Sequence, residues 1–242
     1  MSDEYSDEIS KHYAAYRPPI HQEILGVALP KGTDFELGLD IGCGTGVSSE
    51  ALIKLCSRVI GIDPSSAMLA QASRAEGLSY LQGTGDNIPL DNNSVDIVSF
   101  AGSLSYAKSE ALIDEIVRVC RNNAWVIAYD FEVLLDEHLE SLGVTLPSRI
   151  STYNHAENFE GSNSMVEQQV CQGTITLEVS SEQLAHVLFS SSRRYSALSE
   201  RYGPNYAFGA VVRALREMNE RHTISVDTYF STYQVNVSTS LV

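Results

Sequence analysis

The chain has 242 residues, with 16 Lys and Arg against 31 Asp and Glu, and a formal net charge of −15 at pH 7. Because affinity for phosphate backbones comes mainly from clustered basic residues, this balance argues against a nucleic-acid partner. No apolar run reaches the roughly 18 residues that a membrane span needs, so we expect no membrane partner. The acidic first ten residues are not typical of a secretory signal, and the four cysteines show no CxxC spacing. Both features favour a cytoplasmic protein without a metal site.

The first half of the chain predicts two helices and then a regular alternation of strands and helices. The helices at 5–16 and 19–29 are separated at Arg17 by two prolines, since proline disfavours helix in the residue before it and can start the next helix. Strands are predicted at FELGLDI, RVIGID, LSYLQG, VDIVSFA and AWVIAYDF, with intervening helices that include one from Ser65 to Arg74. This alternation is typical of a parallel sheet covered on both faces.

After about residue 132 the pattern changes. Residues 132–163 are polar and irregular, and beyond them VEQQVCQGTITLEV and TISVDTYFSTYQVNV predict strands, while SEQLAHVLF and PNYAFGAVVRALREMNER predict helices. We therefore predict an α/β fold with a doubly wound, mostly parallel, seven-stranded Rossmann-like sheet and a helical lobe inserted before the last strands. Within a single domain, 1–34 would be an N-terminal helical lid, 35–131 a cofactor-binding core, and 132–242 an acceptor lobe with the final strands.

Three glycines, Gly42, Gly44 and Gly46, lie within five residues between the first strand and the helix after it. Ligands of parallel sheets bind at the carboxyl ends of the strands, where glycine permits tight turns and close approach of the backbone. The spacing is GxGxG instead of the GxGxxG of dinucleotide sites, and no GK[ST] follows, which excludes a P-loop. A single glycine in such a turn would need no ligand, but three at this place predict one.

An acidic residue, Asp63, ends the second predicted strand. It is placed to accept two hydrogen bonds from a ribose diol. The alternative is an N-cap for the next helix, in which Pro64 would occupy the first turn. Gly85 and Asp86 follow the third strand, where the edge of an adenine would lie if the ribose is bound by Asp63.

The segments LDIGCGTG, GIDPSSAML and GTGDNIPLDNNSVDIVSF together resemble the cofactor-binding motifs of the class I S-adenosylmethionine-dependent methyltransferases, over roughly residues 37–131. More weakly, YAAYRPPIHQEIL is similar to the opening of small-molecule members such as the trans-aconitate-methyltransferase-like group. The resemblance implies the class I methyltransferase fold, S-adenosyl-L-methionine as cofactor and S-adenosyl-L-homocysteine as product. It also implies methyl transfer to an oxygen or nitrogen nucleophile of a small molecule, a carboxylate included.

The resemblance also implies a role for each cofactor-site residue. Asp40 and the backbone of Gly42 and Gly44 would hold the methionine part, Met68 would lie beside the adenine, and Ala101 would lie over the cofactor. The full implied set is Asp40, Gly42, Cys43, Gly44, Gly46, Asp63, Pro64, Met68, Gly85, Asp86 and Ala101. The sequence departs from the family pattern at Thr84, where Asp is common, at SLSYA, which lacks a histidine, and at CRNNAW, which lacks a Gly-Gly turn.

The acceptor side is less defined, and no catalytic base is predicted. A carboxylate acceptor needs no base, whereas a hydroxyl acceptor benefits from one. His12 is the nearest suggestion, but a solvent-facing histidine is expected there. We expect Tyr13, Tyr16 and Arg17 to belong to a lid over residues 5–17, and Tyr106 either to line the acceptor pocket or to pack at its rim. In the later lobe, acceptor contacts are expected from Tyr195, Tyr202 and Phe208.

Two other functions stay open at this point. One is an oxidoreductase with a nicotinamide cofactor, which the GxGxG spacing disfavours. The other is a cofactor-binding protein of the same fold without turnover, since the later lobe shows no required catalytic group. In either case the expected partner is a small molecule, and the chain is expected to be a monomer or a homodimer.

Overall fold

The internal contacts of the chain divide it into two compact units. In this computed structural model, residues 9, 11–12, 15–147 and 153–236 are described. One unit comprises Ile20–Phe131, Tyr153–Gly173 and Thr228–Val242, and we call it the sheet unit. The other comprises Met1–Pro19, Glu132–Thr152 and Thr174–Asp227, and we call it the helical unit. The first boundary follows Pro19, at the predicted break between the two N-terminal helices.

A mixed sheet of seven strands is the main element of the chain, as predicted. The strands follow the order β3-β2-β1-β4-β5-β7-β6 across the sheet. β1 pairs in parallel with β2 and β4, and parallel pairing continues from β2 to β3 and from β4 to β5. The carboxyl ends of these five strands therefore lie at one edge. Their bounds are β1 Phe35–Ile41, β2 Cys56–Asp63, β3 Leu78–Gln82, β4 Val95–Ala101, β5 Cys120–Leu134, β6 Met165–Ser180 and β7 Arg221–Val235.

The helices mostly connect these strands, and three of them lie between β6 and β7. Among the described residues, no helix is long and apolar enough to span a bilayer. Near the amino end, Ile9, Lys11, His12 and Ala15 are helical. The later helices are α1 Ile20–Ala28, α2 Val47–Leu52, α3 Ser66–Leu69, α4 Leu104–Ala107, α5 Glu110–Val119, α6 Asp136–Ser141, α7 Ser181–Phe189, α8 Ser192–Tyr202 and α9 Ala207–Met218.

Several predicted boundaries were wrong. The helix expected over Ser65–Arg74 ends at Leu69, since the N–H groups of Gln71 and Ala72 bond to carbonyls three residues back and close the last turn. α8 was not predicted, because its polar sequence buries only Leu198 and Ser199. The polar stretch after residue 132 contains the end of β5 and α6, and α9 begins at Ala207 instead of Pro204.

The segment that follows β3 is held against α5. A Cβ at Gly85 would lie 2.5 Å from Leu112 Cδ1, so only glycine fits at this position without a shift of the helix side chain. The Ile88 N–H donates to Glu115 Oε2 at 2.7 Å, and the Arg118 guanidinium donates to the Ile88 carbonyl at 2.8 Å. These contacts fix the backbone between β3 and β4 at the edge where the strands end.

One carboxylate, Asp40 in β1, is fully buried in the sheet unit. Its Oδ2 accepts hydrogen bonds of 2.6 Å from the hydroxyls of Ser48 and Ser49 in α2. Its Oδ1 is buried without a hydrogen-bond partner among the described residues. Burial raises the pKa of Asp40 to about 6, and the serine hydrogen bonds oppose that rise.

This carboxylate should make folding stability depend on pH. The folded-state pKa of about 6 lies above the ordinary value of 3.8, so the folded protein binds the Asp40 proton more tightly than the unfolded chain does. The resulting stabilisation is fully present below the unfolded pKa and is lost as pH rises through the folded pKa. Between pH 4 and 7 we expect the unfolding free energy of wild type, relative to Asp40→Asn, to fall by about 1 to 3 kcal/mol.

Urea unfolding of both proteins at pH 4, 5, 6 and 7 measures this difference. The exposed Asp34→Asn variant is the matched control and should follow wild type at every pH. Wild-type and Asp40→Asn curves that run parallel across this range would contradict the buried, proton-binding state of Asp40.

Candidate functional site

The glycine loop lies at the carboxyl end of β1 and is tied to the end of β2. The N–H groups of Gly42 and Cys43 both donate to the Ile62 carbonyl, at 2.8 and 3.1 Å. Gly46 is the N-cap of α2 and has φ 83°. The chain therefore leaves β1, touches β2 and turns into α2 within five residues.

The three loop glycines have different neighbours, although all have positive φ, at 73°, 54° and 83° for Gly42, Gly44 and Gly46. A Cβ at Gly42 would lie 2.5 Å from Ser103 Cβ, and one at Gly46 would meet the Tyr80 hydroxyl. At Gly44 a Cβ would meet no atom of the described residues within 4 Å. The packing of the protein itself thus requires glycine at two positions, and Gly44 alone of the three leaves room for a ligand.

Asp63 connects this loop to the end of β2. Its Oδ2 accepts from the Gly44 N–H at 2.9 Å, and its Oδ1 accepts from the Ser65 N–H at 2.8 Å. The N-cap of α3 is Ser65, whose hydroxyl accepts from the Met68 N–H. Asp63 is therefore not the capping residue that the alternative required. Each carboxylate oxygen has a second lone pair, so the half-buried Asp63 can accept further hydrogen bonds.

The other predicted cofactor residues follow the ends of β2, β3 and β4 at the same edge. Pro64 and Met68 are exposed beyond β2, and Ala101 is half-buried as the last residue of β4. Gly85 is buried against α5, while Asp86 is exposed and accepts from the Ser109 hydroxyl at 2.5 Å. The structure thus brings the cofactor set together, and the role of each residue stays a prediction.

Cys43 is a buried residue of the loop with a protonated thiol. Burial and the nearby carboxylates of Asp40 and Asp63 raise its pKa to about 12. A thiol in this state is a poor nucleophile, which agrees with Cys43 serving as a small loop residue. Within the described parts of the chain, no three His, Cys, Asp or Glu side chains are grouped to hold a metal ion.

A histidine–aspartate pair that the sequence did not predict lies where β5 passes the carboxyl end of β4. His155 Nδ1 is 2.9 Å from Asp130 Oδ2, and Asp130 Oδ1 accepts from the Phe131 N–H at 2.7 Å. Both side chains are partly accessible, at 30% for His155 and 18% for Asp130. Asp130 could have been noticed as an acid following a buried strand, but no local pattern marks His155.

Aromatic rings surround this histidine. His155 is stacked on Tyr229, with ring centroids 5.6 Å apart and planes at 20°, and it meets the edge of Tyr153 at 4.7 Å. The Tyr153 hydroxyl donates to the Gly102 carbonyl at 2.8 Å. Tyr106, which was expected either to line the acceptor pocket or to pack at its rim, is 81% exposed, and its ring is 5.6 Å from Tyr153. Tyr106 therefore belongs to the same aromatic group.

The helical unit has a cavity of its own, with a volume of about 520 Å³. His12 borders it and is half-buried, with its Nδ1 3.0 Å from His186 Nδ1, so the expectation of a solvent-facing His12 was wrong. Burial lowers the pKa of His186. Tyr202 donates its hydroxyl to the Leu142 carbonyl instead of lining this cavity. Other residues of the lining are Phe189, Tyr195, Tyr206, Phe208 and Arg213.

The lid expected at the amino end is described only in part. Tyr13 lies outside the described residues. Tyr16 is half-buried, and burial raises its pKa, which the positive charge of Arg221 opposes. Arg17 is also half-buried, in the residues between the first helical segment and α1. The closing of residues 5–17 over a site stays a prediction, as does the division of the chain into lid, core and acceptor lobe.

Comparison with known proteins identifies similarity in the region of this site. Residues 39–128 match the family model described as a methyltransferase domain. A Dictyostelium discoideum protein described as a methyltransferase is 26% identical over 133 residues, which cover 54% of this chain and 51% of that protein. A Saccharomyces cerevisiae protein described as an S-adenosylmethionine-dependent methyltransferase is 30% identical over 124 residues, covering 47% of this chain and 42% of that protein. The matched region thus spans about half the length of these relatives.

A solved structure extends the likeness over nearly the whole chain. A protein of Anaeromyxobacter dehalogenans assigned to the type II methyltransferases superposes with a TM-score of 0.58, covering 92% of this chain and 97% of that chain. At 20% identity this likeness bears on the fold alone. Residues 39–128, which include the glycine loop, thus match a methyltransferase domain, and the chain has the fold of the class I S-adenosylmethionine-dependent methyltransferases.

Proposed function

We propose that this protein binds S-adenosyl-L-methionine at the glycine loop and catalyses methyl transfer from it to a small-molecule acceptor. The proposal rests on the open space at Gly44, which lies beside the carboxylate of Asp63 and at the carboxyl end of β1. An oxygen or nitrogen nucleophile of the acceptor would receive the methyl group. S-adenosyl-L-homocysteine is the product of this reaction.

The polar groups of the site suit this cofactor. Its ammonium group and ribose hydroxyls are hydrogen-bond donors, and the half-buried carboxylate of Asp63 offers acceptors. Its positive charge suits a site with two carboxylates, because opposite charges attract strongly where water is excluded. The Gly44 backbone can approach the ligand closely, since no described residue lies within 4 Å of a Cβ placed there.

When bound, S-adenosyl-L-methionine supplies an electrophilic methyl group. The chain's own contribution is to hold the acceptor in line with that methyl group at about 3 to 3.5 Å, a proximity effect that can remove roughly 7 to 11 kcal/mol of the barrier. The loop and Asp63 orient the cofactor for this approach. The acceptor is proposed to be a small molecule because the chain is strongly acidic, at −15, which disfavours a polyanionic substrate.

Turnover distinguishes this proposal from a protein that only binds the cofactor. Methyl-labelled S-adenosyl-L-methionine, incubated with the protein and a mixture of small metabolites, should give a labelled low-molecular-weight product and S-adenosyl-L-homocysteine in equal amounts. Mass spectrometry of the products measures both. Cofactor binding with no labelled product would contradict the proposed activity and support the binding-only alternative.

The role of Asp63 is tested by Asp63→Ala. The substitution removes acceptors for the ribose hydroxyls, and hydrogen bonds to charged groups contribute about 1.5 to 3 kcal/mol each. If the two hydrogen bonds contribute only half of this free energy, affinity for S-adenosyl-L-homocysteine should still fall about tenfold or more. Titration calorimetry measures the change, and the exposed Asp34→Ala variant should bind as wild type does. Equal affinity in wild type and Asp63→Ala would show that Asp63 serves only the loop and α3.

The loop glycines should separate binding from stability. Gly44→Ala places a methyl group in open space, so we expect a stability loss of only about 1 to 2 kcal/mol from its left-handed backbone, with a large loss of cofactor affinity. Gly46→Ala places a methyl group against Tyr80 and should lower the melting temperature much further. Thermal melts with and without S-adenosyl-L-homocysteine measure both effects. Ligand-induced stabilisation of Gly44→Ala equal to that of wild type would contradict a ligand at Gly44.

A further inference from the structure

We propose that His155 is the general base of the reaction, that Asp130 positions it, and that the acceptor is therefore a phenolic hydroxyl compound. This inference rests on the proposed methyl transfer, which does not by itself require a base. No base could be predicted from the sequence, and the pair is formed by residues 25 positions apart.

Contacts within the sheet unit connect the pair to the glycine loop. The space next to Gly42 is filled by Ser103, whose hydroxyl donates to the Ile41 carbonyl at 2.5 Å. A Cβ added at the neighbouring residue, Gly102, would lie 3.2 Å from Asp130 Oδ1. β4 lies between β1 and β5, so the loop and the pair are about 10 Å apart across the sheet, given a strand spacing of roughly 4.8 Å. That span accommodates the methionine end of the cofactor and the reacting atom of an acceptor.

The pairing determines which ring nitrogen can act as a base. Asp130 accepts at Nδ1, so the neutral ring carries its proton on Nδ1 and leaves the lone pair on Nε2. No described residue forms a hydrogen bond with Nε2 of His155. The stack on Tyr229 and the edge contact with Tyr153 hold the ring plane. This arrangement is that of an oriented base whose protonated form is stabilised by the carboxylate.

The same geometry indicates the class of acceptor. An oriented base assists a nucleophile that must lose a proton, such as a hydroxyl. A carboxylate acceptor is already ionised and needs no base. The exposed ring of Tyr106 and the rings of Tyr153 and Tyr229 offer aromatic surface beside His155, which suits a flat aromatic compound. A phenol satisfies both conditions.

Nε2 of His155 takes the hydroxyl proton while the phenol oxygen forms a bond to the methyl carbon of S-adenosyl-L-methionine. The sulfur–methyl bond breaks, and its electron pair goes to sulfur, giving an aryl methyl ether and S-adenosyl-L-homocysteine. His155 leaves the step as an imidazolium paired with Asp130, and the proton is then released to water.

The first test compares acceptors of different acidity. His155→Asn keeps a donor for Asp130 but removes the base. With phenol, we expect kcat to fall about 100-fold or more, the usual contribution of a general base. With 4-nitrophenol in mildly alkaline buffer the acceptor is already ionised, so the variant should lose little. His138→Asn, which changes a histidine of the helical unit, is the matched control and should retain wild-type turnover.

An equal loss of turnover on phenol and 4-nitrophenol would overturn the base assignment, since a structural role affects both alike. Methylation of benzoic acids alone, with no phenol accepted, would also overturn it while leaving methyl transfer intact. Failure of the wild type to methylate any acceptor would overturn the proposed function, and this inference with it.

The second test needs no turnover. Nitrogen-15 spectra of the labelled protein with S-adenosyl-L-homocysteine should show the neutral His155 ring as the tautomer protonated at Nδ1. Asp130→Asn should shift the ring toward the other tautomer, because the amide NH2 group can donate to Nδ1 and the ring proton then lies on Nε2. A wild-type ring protonated at Nε2 alone would overturn the assignment.

Discussion

The hydrogen bond from the Gly44 N–H to the Asp63 carboxylate is the contact on which the site depends. The loop residues on either side are fixed by packing, because Ser103 and Tyr80 fill the spaces next to Gly42 and Gly46. Gly44 has no such neighbour, so its position is set by this 2.9 Å bond. A hydrogen bond to a charged group contributes about 1.5 to 3 kcal/mol, enough to hold one peptide in place. The bond therefore keeps an open space directly beside a carboxylate.

Parallel strands extend this arrangement across the sheet. Asp40 lies in β1, Asp63 ends β2 and Asp130 lies near the end of the buried part of β5, so three carboxylates gather toward one edge. The three carboxylates differ in their burial and in their hydrogen-bond partners. Asp40 is buried with a pKa of about 6, Asp63 holds the loop, and Asp130 pairs with His155. The carboxylates at this edge would stabilise a bound cationic cofactor and would stabilise its neutral product less. This difference favours release of the product after transfer.

The parts of the structure that depend on local pattern could be predicted from the sequence. The five parallel strands follow from their apolar runs, and the glycine loop from its spacing. The reason for each glycine could not be predicted, because Ser103 is 61 residues from Gly42 and only the fold brings them together. His155 could not be predicted for the same reason, because it lies in a polar, irregular segment and only the fold brings it next to Asp130. α8 was missed because its sequence carries almost no apolar face.

A crystal structure with S-adenosyl-L-homocysteine bound would show where the ligand lies relative to Gly44 and Asp63. We expect the ribose hydroxyls to lie within hydrogen-bond distance of the Asp63 carboxylate and the ligand to contact the backbone of Gly44. We also expect the sulfur atom to be turned toward Gly102 and the His155–Asp130 pair. A ligand bound away from Gly44, with Asp63 contacting only the N–H groups of Gly44 and Ser65, would contradict this expectation.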